Sequence, residues 1–498
     1  MLIPISDNKN YLFYGDNLDV LRQRIPSESV DLCYIDPPFN SKRTYFQIYN
    51  NIGHDDVAQA QAFMDTWQWG PEADRGFEEI LTNADGRFSM QTVTLIQGYR
   101  AVLGAGGLLA YLVHMALRIT EIHRVLKPVG SFYLHCDPTA SHYLKLILDA
   151  VFVSQGGHYT NEIAWCYGSG GASHRHFSKK HDTIFFYHKS STWTFNVDAV
   201  REPYSSPHKS RTPKQVGSKQ YQKMHPLGRI PFDWWEIPIL TNSAKERLGY
   251  PTQKPESLLE RIIQASSNPG DTVLDAYCGC GTTVAVSQRL GRRWFGIDIT
   301  YQAISLILKR LEDSTPPEQR ADLMDHIVTH GIPKDLAAAE ALAHDPHDKT
   351  RKEFEKWAIL TYTRNRARIH EKKGADRGID GWASFVTGPQ SVAKVLFQAK
   401  SGKVNRATVA TLRGDMAREG AALGVLLTLK PPTKEMLKEA TTAGTYTHPL
   451  YDAHYPVIEI VPVQDLLSGS KVFTIPMTHD AVKSAQVANA GTDQLRWM

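Results

Sequence analysis

This chain of 498 residues has few cysteines, no long apolar run and only a small net charge. No apolar stretch approaches the length of a membrane span, and no basic segment followed by an apolar run opens the chain. We therefore expect a cytoplasmic protein with no membrane partner. The cysteines are too few and too scattered for a disulfide framework or a four-ligand zinc site: Cys33, Cys136, Cys166, Cys278 and Cys280.

The composition permits a nucleic-acid partner without requiring one. The formal net charge is only +4, so a functional basic surface would depend on the clustering of lysine and arginine. With 42% hydrophobic and 22% charged residues, the chain has the balance of an ordinary globular protein. Its length allows about two to four domains with cores of their own.

The tetrapeptide Asp36-Pro37-Pro38-Phe39 directly follows an apolar, strand-like run over residues 30–35. Ligands bind at the carboxyl ends of strands in open α/β sheets, so this position favours chemistry, although Asp-Pro-Pro is also a common turn. The prolines remove backbone donors and leave acceptors facing a crevice. An exocyclic amine that donates to Asp36 and to the Pro37 carbonyl would have its lone pair turned outwards, while Phe39 stacks on the ring.

A second group of candidate site residues follows the strand predicted over residues 272–274. The turn from Asp275 contains Gly279 and Gly281, which let the backbone approach a ligand closely before a helix over residues 284–290. The next strand ends at Asp298, where a carboxylate can accept both hydroxyls of a ribose. These features predict a nucleotide-type binding site.

Residues 163–248 interrupt the α/β alternation with a basic segment that also contains aromatic side chains. Basic side chains bind phosphates, and aromatic or amide groups contact bases, so the segment is predicted to contact DNA. A merely solvated charged surface is the alternative. The candidate DNA-binding residues are Lys179, Lys180, Lys209, Arg211 and Lys214.

Together these segments resemble the DNA amino-methyltransferases, which act on N6 of adenine or N4 of cytosine. Gly15-Asp16 and Asp36-Pro37-Pro38-Phe39 resemble motifs III and IV, and they precede segments similar to motifs X, I and II at residues 250–255, 275–283 and 298. That order is typical of the β class. Over about residues 10–310, the resemblance implies an α/β, Rossmann-like, S-adenosylmethionine-dependent methyltransferase with permuted motif order and a target-recognition insertion.

The resemblance also implies a role for each matching residue. Asp36, Pro37, Pro38 and Phe39 would hold the flipped base, and an Asp at position 36 favours adenine N6 over cytosine N4. The residues implied to bind S-adenosylmethionine are Asp275, Gly279 and Gly281 for its methionine part, Asp298 for its ribose, Asp16 for its adenine and Lys254 near its carboxylate.

The C-terminal third carries a second α/β pattern. A predicted helix over residues 353–361 precedes Gly378-Ile379-Asp380-Gly381 and two strands, and Gln398 and Lys400 share one face of the second strand. An acid facing a Gln-x-Lys pair can gather a divalent metal and a lysine around a phosphodiester. The pattern resembles the Mrr-like branch of the PD-(D/E)xK nucleases over about residues 351–430, which implies Asp380 and Glu355 as metal ligands and Mg²⁺ as the ion.

The sequence thus predicts a methyltransferase domain at residues 1–310, a connector at 311–350 and a smaller, restriction-endonuclease-like α/β domain at 351–498. The predicted function is restriction–modification of double-stranded DNA, with a homodimer as one possible assembly. Three alternatives stay open. The enzyme could methylate cytosine N4, the C-terminal domain could be a non-cleaving DNA-binding module on an orphan methyltransferase, or the substrate could be a small molecule.

Overall fold

The computed structural model describes residues 9–38, 67–168, 174–204, 225–241, 244–248, 250, 252–344, 351–370, 378–388, 391–450, 453–471 and 473–474, and the backbone at 43–48 and 59–65. Among the described helices, none is both long enough and apolar enough to cross a membrane.

The larger sheet contains nine of the described strands. In chain order these strands are β1 (Asn10–Tyr14), β2 (Val30–Ile35), β5 (Leu126–Cys136), β6 (His158–Cys166), β7 (His181–His188), β8 (Trp234–Glu236), β9 (Thr272–Asp275), β10 (Arg293–Asp298) and β11 (Ile327–His330). A separate hairpin consists of β3 (Arg43–Ile48) and β4 (Gln59–Asp65).

Helices lie between most of these strands and continue into the C-terminal third. They are α1 (Asn17–Gln23), α2 (Pro71–Thr82), α3 (Met90–Leu103), α4 (Gly107–Val125), α5 (Ser141–Val151), α6 (Glu256–Ser266), α7 (Thr282–Arg289), α8 (Tyr301–Asp313), α9 (Arg320–Asp325), α10 (Leu336–Ala343), α11 (Lys352–Thr363), α12 (Arg406–Glu419), α13 (Lys434–Thr442) and α14 (Val463–Leu467).

The strand order in the larger sheet is β11-β1-β10-β9-β2-β5-β7-β6-β8. All pairs from β11 to β5 are parallel, and β7 runs antiparallel to both β5 and β6. Strands β9 and β10, from the second half of the methyltransferase segment, lie between β1 and β2, from the first. The carboxyl ends of these four strands therefore meet at one edge of the sheet. The predicted Rossmann-like fold with permuted order is confirmed.

Both faces of the central parallel strands are covered, as their continuous apolar runs require. Helix α4 is buried around most of its circumference and shares a hydrophobic core with β2 and β5. Helix α6 contributes Leu258, Leu259, Ile262 and Ile263 to a second core on strands β2, β5, β6 and β7. This double cover fixes the sheet, so the strand ends form a stable base for a site.

The C-terminal sheet has the order β12-β13-β14-β15-β18. Its strands are β12 (Arg368–Ile369), β13 (Gly381–Gly388), β14 (Ser391–Lys400), β15 (Leu423–Thr428) and β18 (Ile458–Pro462), and a small hairpin joins β16 (Thr445–Thr447) to β17 (His454–Pro456). Strands β12, β13 and β14 pair antiparallel, whereas β14, β15 and β18 are parallel. The two strands predicted around Asp380 and Lys400 are thus adjacent.

The two sheets are linked more closely than a plain connector would link them. Strand β11 lies within the predicted connector, yet it pairs with β1 and extends the larger sheet. Helix α11 packs against α8, and Tyr301 of α8 belongs to the same hydrophobic cluster as Phe354 and Trp357 of α11. Tyr301, the first residue of α8, therefore contributes to the core of the C-terminal domain.

Candidate active sites

A cavity of about 430 Å³ opens where the ends of β1, β2, β9 and β10 meet. Its lining includes most of the predicted methyltransferase site residues, namely Asp16, Asp36, Pro37, Pro38, Lys254, Asp275, Gly279 and Asp298. Because strands from both halves of the segment supply this lining, the fold itself joins the predicted cofactor residues to the predicted base-binding residues.

Asp36 lies directly after β2, with one carboxylate oxygen hydrogen-bonded and the other buried. Its Oδ2 accepts a short hydrogen bond from the Lys254 ammonium group. Its Oδ1 is buried and has no hydrogen-bond partner in the part of the chain that the structure describes. A buried acceptor without a partner is costly, so a ligand amine that donated to Oδ1 would be favoured. Phe39 lies outside the described residues.

Lys254 was predicted near the carboxylate of the cofactor, and the structure shows a different contact. Its ammonium group holds Asp36 in place, and only 10% of its side chain is exposed. Lys254 also lines the cavity, so a cofactor contact stays a prediction. The pairing with Asp36 was not predicted, because the two residues lie on distant segments of the chain.

Asp298 is positioned by the glycine loop and by the start of α8. Its Oδ2 accepts a hydrogen bond from the Gly279 amide at 2.9 Å, and its Oδ1 accepts from the Thr300 amide and hydroxyl, each at 2.9 Å. Burial raises the pKa of Asp298 to about 6, although these hydrogen bonds oppose the shift. A carboxylate at the end of β10 fits the predicted contact with a ribose.

Asp275 ends β9 and is almost completely buried. It accepts hydrogen bonds from the Thr283 hydroxyl at 2.6 Å and from the Tyr277 amide at 3.0 Å. Burial, helped by the charges of Asp36 and Asp298, raises its pKa to about 7. Several carboxyl groups thus crowd one cavity, and this environment favours a cationic ligand such as a sulfonium.

The two predicted glycines, Gly279 and Gly281, have different roles in the structure. Gly279 lines the cavity with φ +48°, a conformation that favours glycine. Gly281 has φ +74°, and an added Cβ would lie 2.6 Å from Cγ1 of Ile307 in α8. Gly281 therefore allows close packing between the loop and α8, while its contact with the cofactor stays a prediction.

Asp16 caps the N-terminus of α1 at the rim of the cavity. Its Oδ1 accepts a hydrogen bond from the Leu18 amide at 2.8 Å. The buried guanidinium of Arg118 donates to its Oδ1 at 3.0 Å and to its Oδ2 at 2.7 Å. These charge-assisted bonds, both from one guanidinium nitrogen, fix the carboxylate where the resemblance implies a contact with the adenine of the cofactor.

Several cavity residues were not predicted. Trp67 lines the cavity, and its ring centroid lies 4.4 Å from that of His114. His114 in turn makes a 2.9 Å hydrogen bond with the hydroxyl of Tyr277. His135, near the end of β5, lies outside this lining but 3.9 Å from Asp36 Oδ1, and it was not predicted either. The only sequence signal was its place at the carboxyl end of a strand.

The basic segment is described in part. Lys179 is exposed and Lys180 is half-buried, and both lie just before β7. Phe177, two residues before Lys179, is 99% exposed. The predicted DNA-binding residues Lys209, Arg211 and Lys214 lie outside the described residues.

In the C-terminal domain, Asp380 lies just before β13 and is almost fully buried. Its Oδ2 accepts hydrogen bonds from the Ala399 amide at 2.9 Å and from the Lys400 ammonium group at 3.3 Å. Lys352 approaches the other oxygen at 3.6 Å and also contacts Glu355 at 2.7 Å. The predicted acid and lysine are therefore adjacent, with Lys352 as an addition.

Glu355 faces this same site from α11. Burial, reinforced by the negative charge of Asp380, raises the pKa of Glu355 above its usual value. Two carboxyl groups forced together in this way are a suitable donor set for a hard divalent cation. Asp380 and Glu355 therefore fit the predicted metal. The described residues contain no cluster of three or more His, Cys, Asp or Glu side chains that could hold a metal, so other ligands would complete it.

Gln398 is buried on β14, where its amide donates to Asp415 Oδ2 of α12 at 2.8 Å. Arg418 in turn pairs with Asp415 at 2.8 Å. This fixed amide lies on the strand that carries Lys400. Its role at a metal stays a prediction.

Glu353, two residues before Glu355 on the same helix, turns towards the methyltransferase domain. Its Oε2 accepts hydrogen bonds from the Tyr14 hydroxyl at 3.0 Å and from the Tyr301 amide at 3.1 Å. Its Oε1 contacts the buried Lys356 ammonium at 3.0 Å. Two acids two residues apart on α11 thus serve opposite sides of the helix.

The fold and the cavity define a DNA methyltransferase, and the chain belongs to the DNA methylase family, whose model matches residues 30–309. Residues 347–451 match a second family model, described as a restriction endonuclease. The two predicted family resemblances are confirmed.

Two relatives show how much of the chain is shared. The DNA adenine methyltransferase YhdJ of Escherichia coli (strain K12) is 30% identical over 307 residues, which are 60% of this chain and 82% of YhdJ. The type II methyltransferase M.HpaI of Haemophilus parainfluenzae is 35% identical over 196 residues, which are 39% of this chain and 57% of M.HpaI. The crystal structure of the M1.HpyAVI-SAM complex has a TM-score of 0.33 and 17% identity, covering 60% of this chain and 98% of that structure.

Proposed function

We propose that the N-terminal domain transfers a methyl group from S-adenosylmethionine to N6 of adenine in double-stranded DNA. The observation that carries this proposal is Asp36, whose Oδ2 is held by Lys254 while its buried Oδ1 has no hydrogen-bond partner among the described residues. An exocyclic amine can supply the missing hydrogen. The resemblance at position 36 and the adenine relative YhdJ both support adenine.

In this proposal the cofactor supplies an electrophilic methyl group, and the chain orients the acceptor. Asp298 accepts the ribose hydroxyls, and the loop around Gly279 lies beside the methionine part. The negative charge of Asp275 and Asp298 favours a cation in the same cavity. Asp36 and the Pro37 carbonyl then hold the amine so that its lone pair faces the methyl group.

A direct test is to express the chain and sequence the host genome with a method that reports modified bases. We expect one motif methylated at adenine N6, and Asp36→Ala should lower the rate of methyl transfer by two or more orders of magnitude, about 100-fold at least. Cofactor binding should persist in that variant. Methylcytosine in the motif would support N4 transfer instead, and near-normal turnover by Asp36→Ala would refute the assigned role.

We propose that the segment around Lys179 and Lys180 contacts DNA. The exposed Phe177 beside two lysines can stack on a base while the lysines bind phosphates. Replacing Lys179 with alanine should flatten the dependence of log affinity on log salt by about one unit, whatever the DNA sequence. An unchanged slope would show that the lysine is only solvated.

We propose that the C-terminal domain cleaves DNA with Mg²⁺ held by Asp380 and Glu355. Gln398 and phosphate oxygens would complete the ligand set, and Lys400 would stabilise the developing charge. The crowding of Asp380 against Glu355 supports this proposal. Asp380→Ala and Lys400→Ala should each stop plasmid cleavage and leave methylation intact. Intact plasmid with the wild-type protein and Mg²⁺ would favour a non-cleaving DNA-binding module.

A homodimer, also proposed, is tested by sedimentation.

A further inference from the structure

A buried histidine lies beside the acceptor carboxylate, at the end of the neighbouring strand. His135 is fully buried in β5, and the pairing of Ile35 with Leu134 places it next to Asp36. Its Nδ1 lies 2.9 Å from the Tyr34 hydroxyl oxygen and 3.9 Å from Asp36 Oδ1. Imidazole is the side chain best suited to gain and lose a proton near neutral pH.

The other ring nitrogen of His135 faces a carboxylate. Asp182 Oδ2 lies 3.3 Å from Nε2, and Asp182 Oδ1 accepts a hydrogen bond from the Tyr167 hydroxyl at 3.1 Å. Because an ionised carboxylate can only accept, Nε2 carries the ring hydrogen and Nδ1 accepts from Tyr34. Burial opposes ionisation of Asp182, but its hydrogen bonds and charge contacts with His135, together with the charge of Lys254, lower its pKa.

The groups around the imidazole come from three neighbouring strands. Strand β2 and its end supply Tyr34 and Asp36, and β7 supplies Asp182. On the β6 side the ring of Trp165 meets His135 edge-on at 5.3 Å between centroids. The imidazole is thus oriented by a carboxylate, a tyrosine and an indole, and a second carboxylate lies just beyond hydrogen-bond distance. His135 therefore differs from a histidine that only fills space in the core, because the polar groups around it continue through Tyr34 and Asp36 to the cavity.

We propose that His135 and Asp182 are positioning residues for methyl transfer: His135 takes on the proton that the acceptor amine releases to Asp36, and Asp182 orients the imidazole and balances its charge. The inference rests on the proposed transfer to an exocyclic amine. The cofactor supplies the methyl group, so the new N–C bond forms as the S–C bond breaks and its electron pair stays on sulfur.

The proton then has a defined route. The methylated nitrogen carries one hydrogen too many and passes it to Asp36 Oδ1. Asp36 transfers it to Nδ1 of His135, while the Tyr34 hydroxyl turns from donor to acceptor. Asp36 returns to its ionised form, and Asp182 pairs with the imidazolium until the proton leaves to water. A carboxylate behind an imidazole fixes both its orientation and its charge in this way.

The first test is Asp182→Asn, which keeps the shape of the side chain and an acceptor oxygen but removes its charge. We expect kcat for methyl transfer to fall by about 100-fold, while KM for S-adenosylmethionine and for DNA stays within about twofold. The acidic limb of the pH profile of kcat should move to lower pH, since the imidazolium loses its counter-charge. Adding His135→Asn to this variant should cost little more, because the pair acts as a unit.

A second variant should move the profile in the opposite direction. Tyr167→Phe removes one hydrogen bond to Asp182, so the Asp182 carboxylate stabilises the imidazolium more strongly. The acidic limb of the pH profile of kcat should therefore move to higher pH. The matched control is Asp149→Asn. Asp149 accepts a 2.7 Å hydrogen bond from the Tyr187 hydroxyl of β7, away from the cavity lining, and should leave the profile unchanged.

The outcomes separate this proposal from the proposed function. If Asp182→Asn and Tyr167→Phe leave both kcat and the acidic limb unchanged while Asp36→Ala is inactive, the pair is structural only and the proposal is wrong. If Asp182→Asn does not fold, the direction of the Tyr167→Phe shift decides. An absence of methylation by the wild-type protein would instead overturn the proposed function.

Discussion

At the scale of single residues, the methyltransferase cavity is defined by where its charges are placed. One lysine contacts Asp36, while Asp275 and Asp298 are buried with pKa values raised to about 7 and about 6. Carboxyl groups of this kind reach their charged form most easily when a cation is near. The site therefore links the binding of a cationic cofactor to pH.

We expect S-adenosylmethionine to bind more weakly as the pH falls through the pKa of Asp298. The ribose hydroxyls need an ionised acceptor, and protonation near pH 6 removes it. The affinity for S-adenosylmethionine is therefore highest above the pKa of Asp298 and falls below it. Between about pH 7 and about pH 5 the loss should be about tenfold. Titration calorimetry on the catalytically intact protein measures it.

Asp298→Asn is the control. It removes the ionisable carboxyl group of residue 298, while the ionisable groups of the cofactor stay the same. Its affinity should be lower at neutral pH and should vary less with pH than that of the wild type. Parallel pH profiles for the two proteins would show that Asp298 does not carry the effect.

At the scale of secondary-structure elements, the glycine loop and α8 fit together only because Gly281 has no side chain. Replacing Gly281 with alanine would strain a residue with φ +74° and push a methyl group against Ile307. We expect the free energy of unfolding to fall by about 1–3 kcal/mol, with a lower melting temperature and weaker cofactor binding.

Gly98→Ala is the matched control for that substitution. Gly98 lies inside α3, and an added Cβ there would meet no heavy atom within 4 Å. Alanine is the better helix former, so this variant should gain about 0.5–1 kcal/mol. Equal melting temperatures for the two variants would contradict the packing role of Gly281.

At the scale of the whole molecule, α11 connects two active sites through two acids. Glu353 binds the start of α8, directly after the Asp298 loop, whereas Glu355 faces Asp380. Strand β11 and the shared cluster of Tyr301 with Phe354 and Trp357 reinforce this connection. The C-terminal domain thus supports the cofactor site of the methyltransferase domain.

We expect Glu353→Ala to weaken cofactor binding several-fold and to lower the free energy of unfolding by about 2 kcal/mol, because it removes charged hydrogen bonds to Tyr14 and to the Tyr301 amide. Glu355→Ala on the same helix should stop DNA cleavage and leave cofactor affinity unchanged. Calorimetry and plasmid cleavage on both variants test the pair. If both variants behaved alike in both assays, the division of roles along α11 would be wrong.

The sequence by itself determined the elements and their chemistry. The helix after the glycine turn was predicted over residues 284–290 and runs from Thr282 to Arg289, and the strand before it was predicted over residues 272–274 and runs from Thr272 to Asp275. Apolar periodicity and glycine turns involve residues that are close together in the sequence, so a single sequence is enough to recognise them. The permuted order of the methyltransferase segments, and hence the fold, followed from the resemblance of these motifs to the β class of DNA amino-methyltransferases.

Only the tertiary structure decided which distant side chains touch. Lys254 on Asp36, Asp182 behind His135 and Glu353 under α8 each join residues far apart in the chain. The resemblance implied Glu355 as a metal ligand, and the tertiary structure turns Glu355 towards Asp380 and Glu353 towards α8. Local patterns fix where a strand ends, whereas sheet order and helix packing fix which neighbour a side chain meets there, because those contacts are made in space and not along the chain.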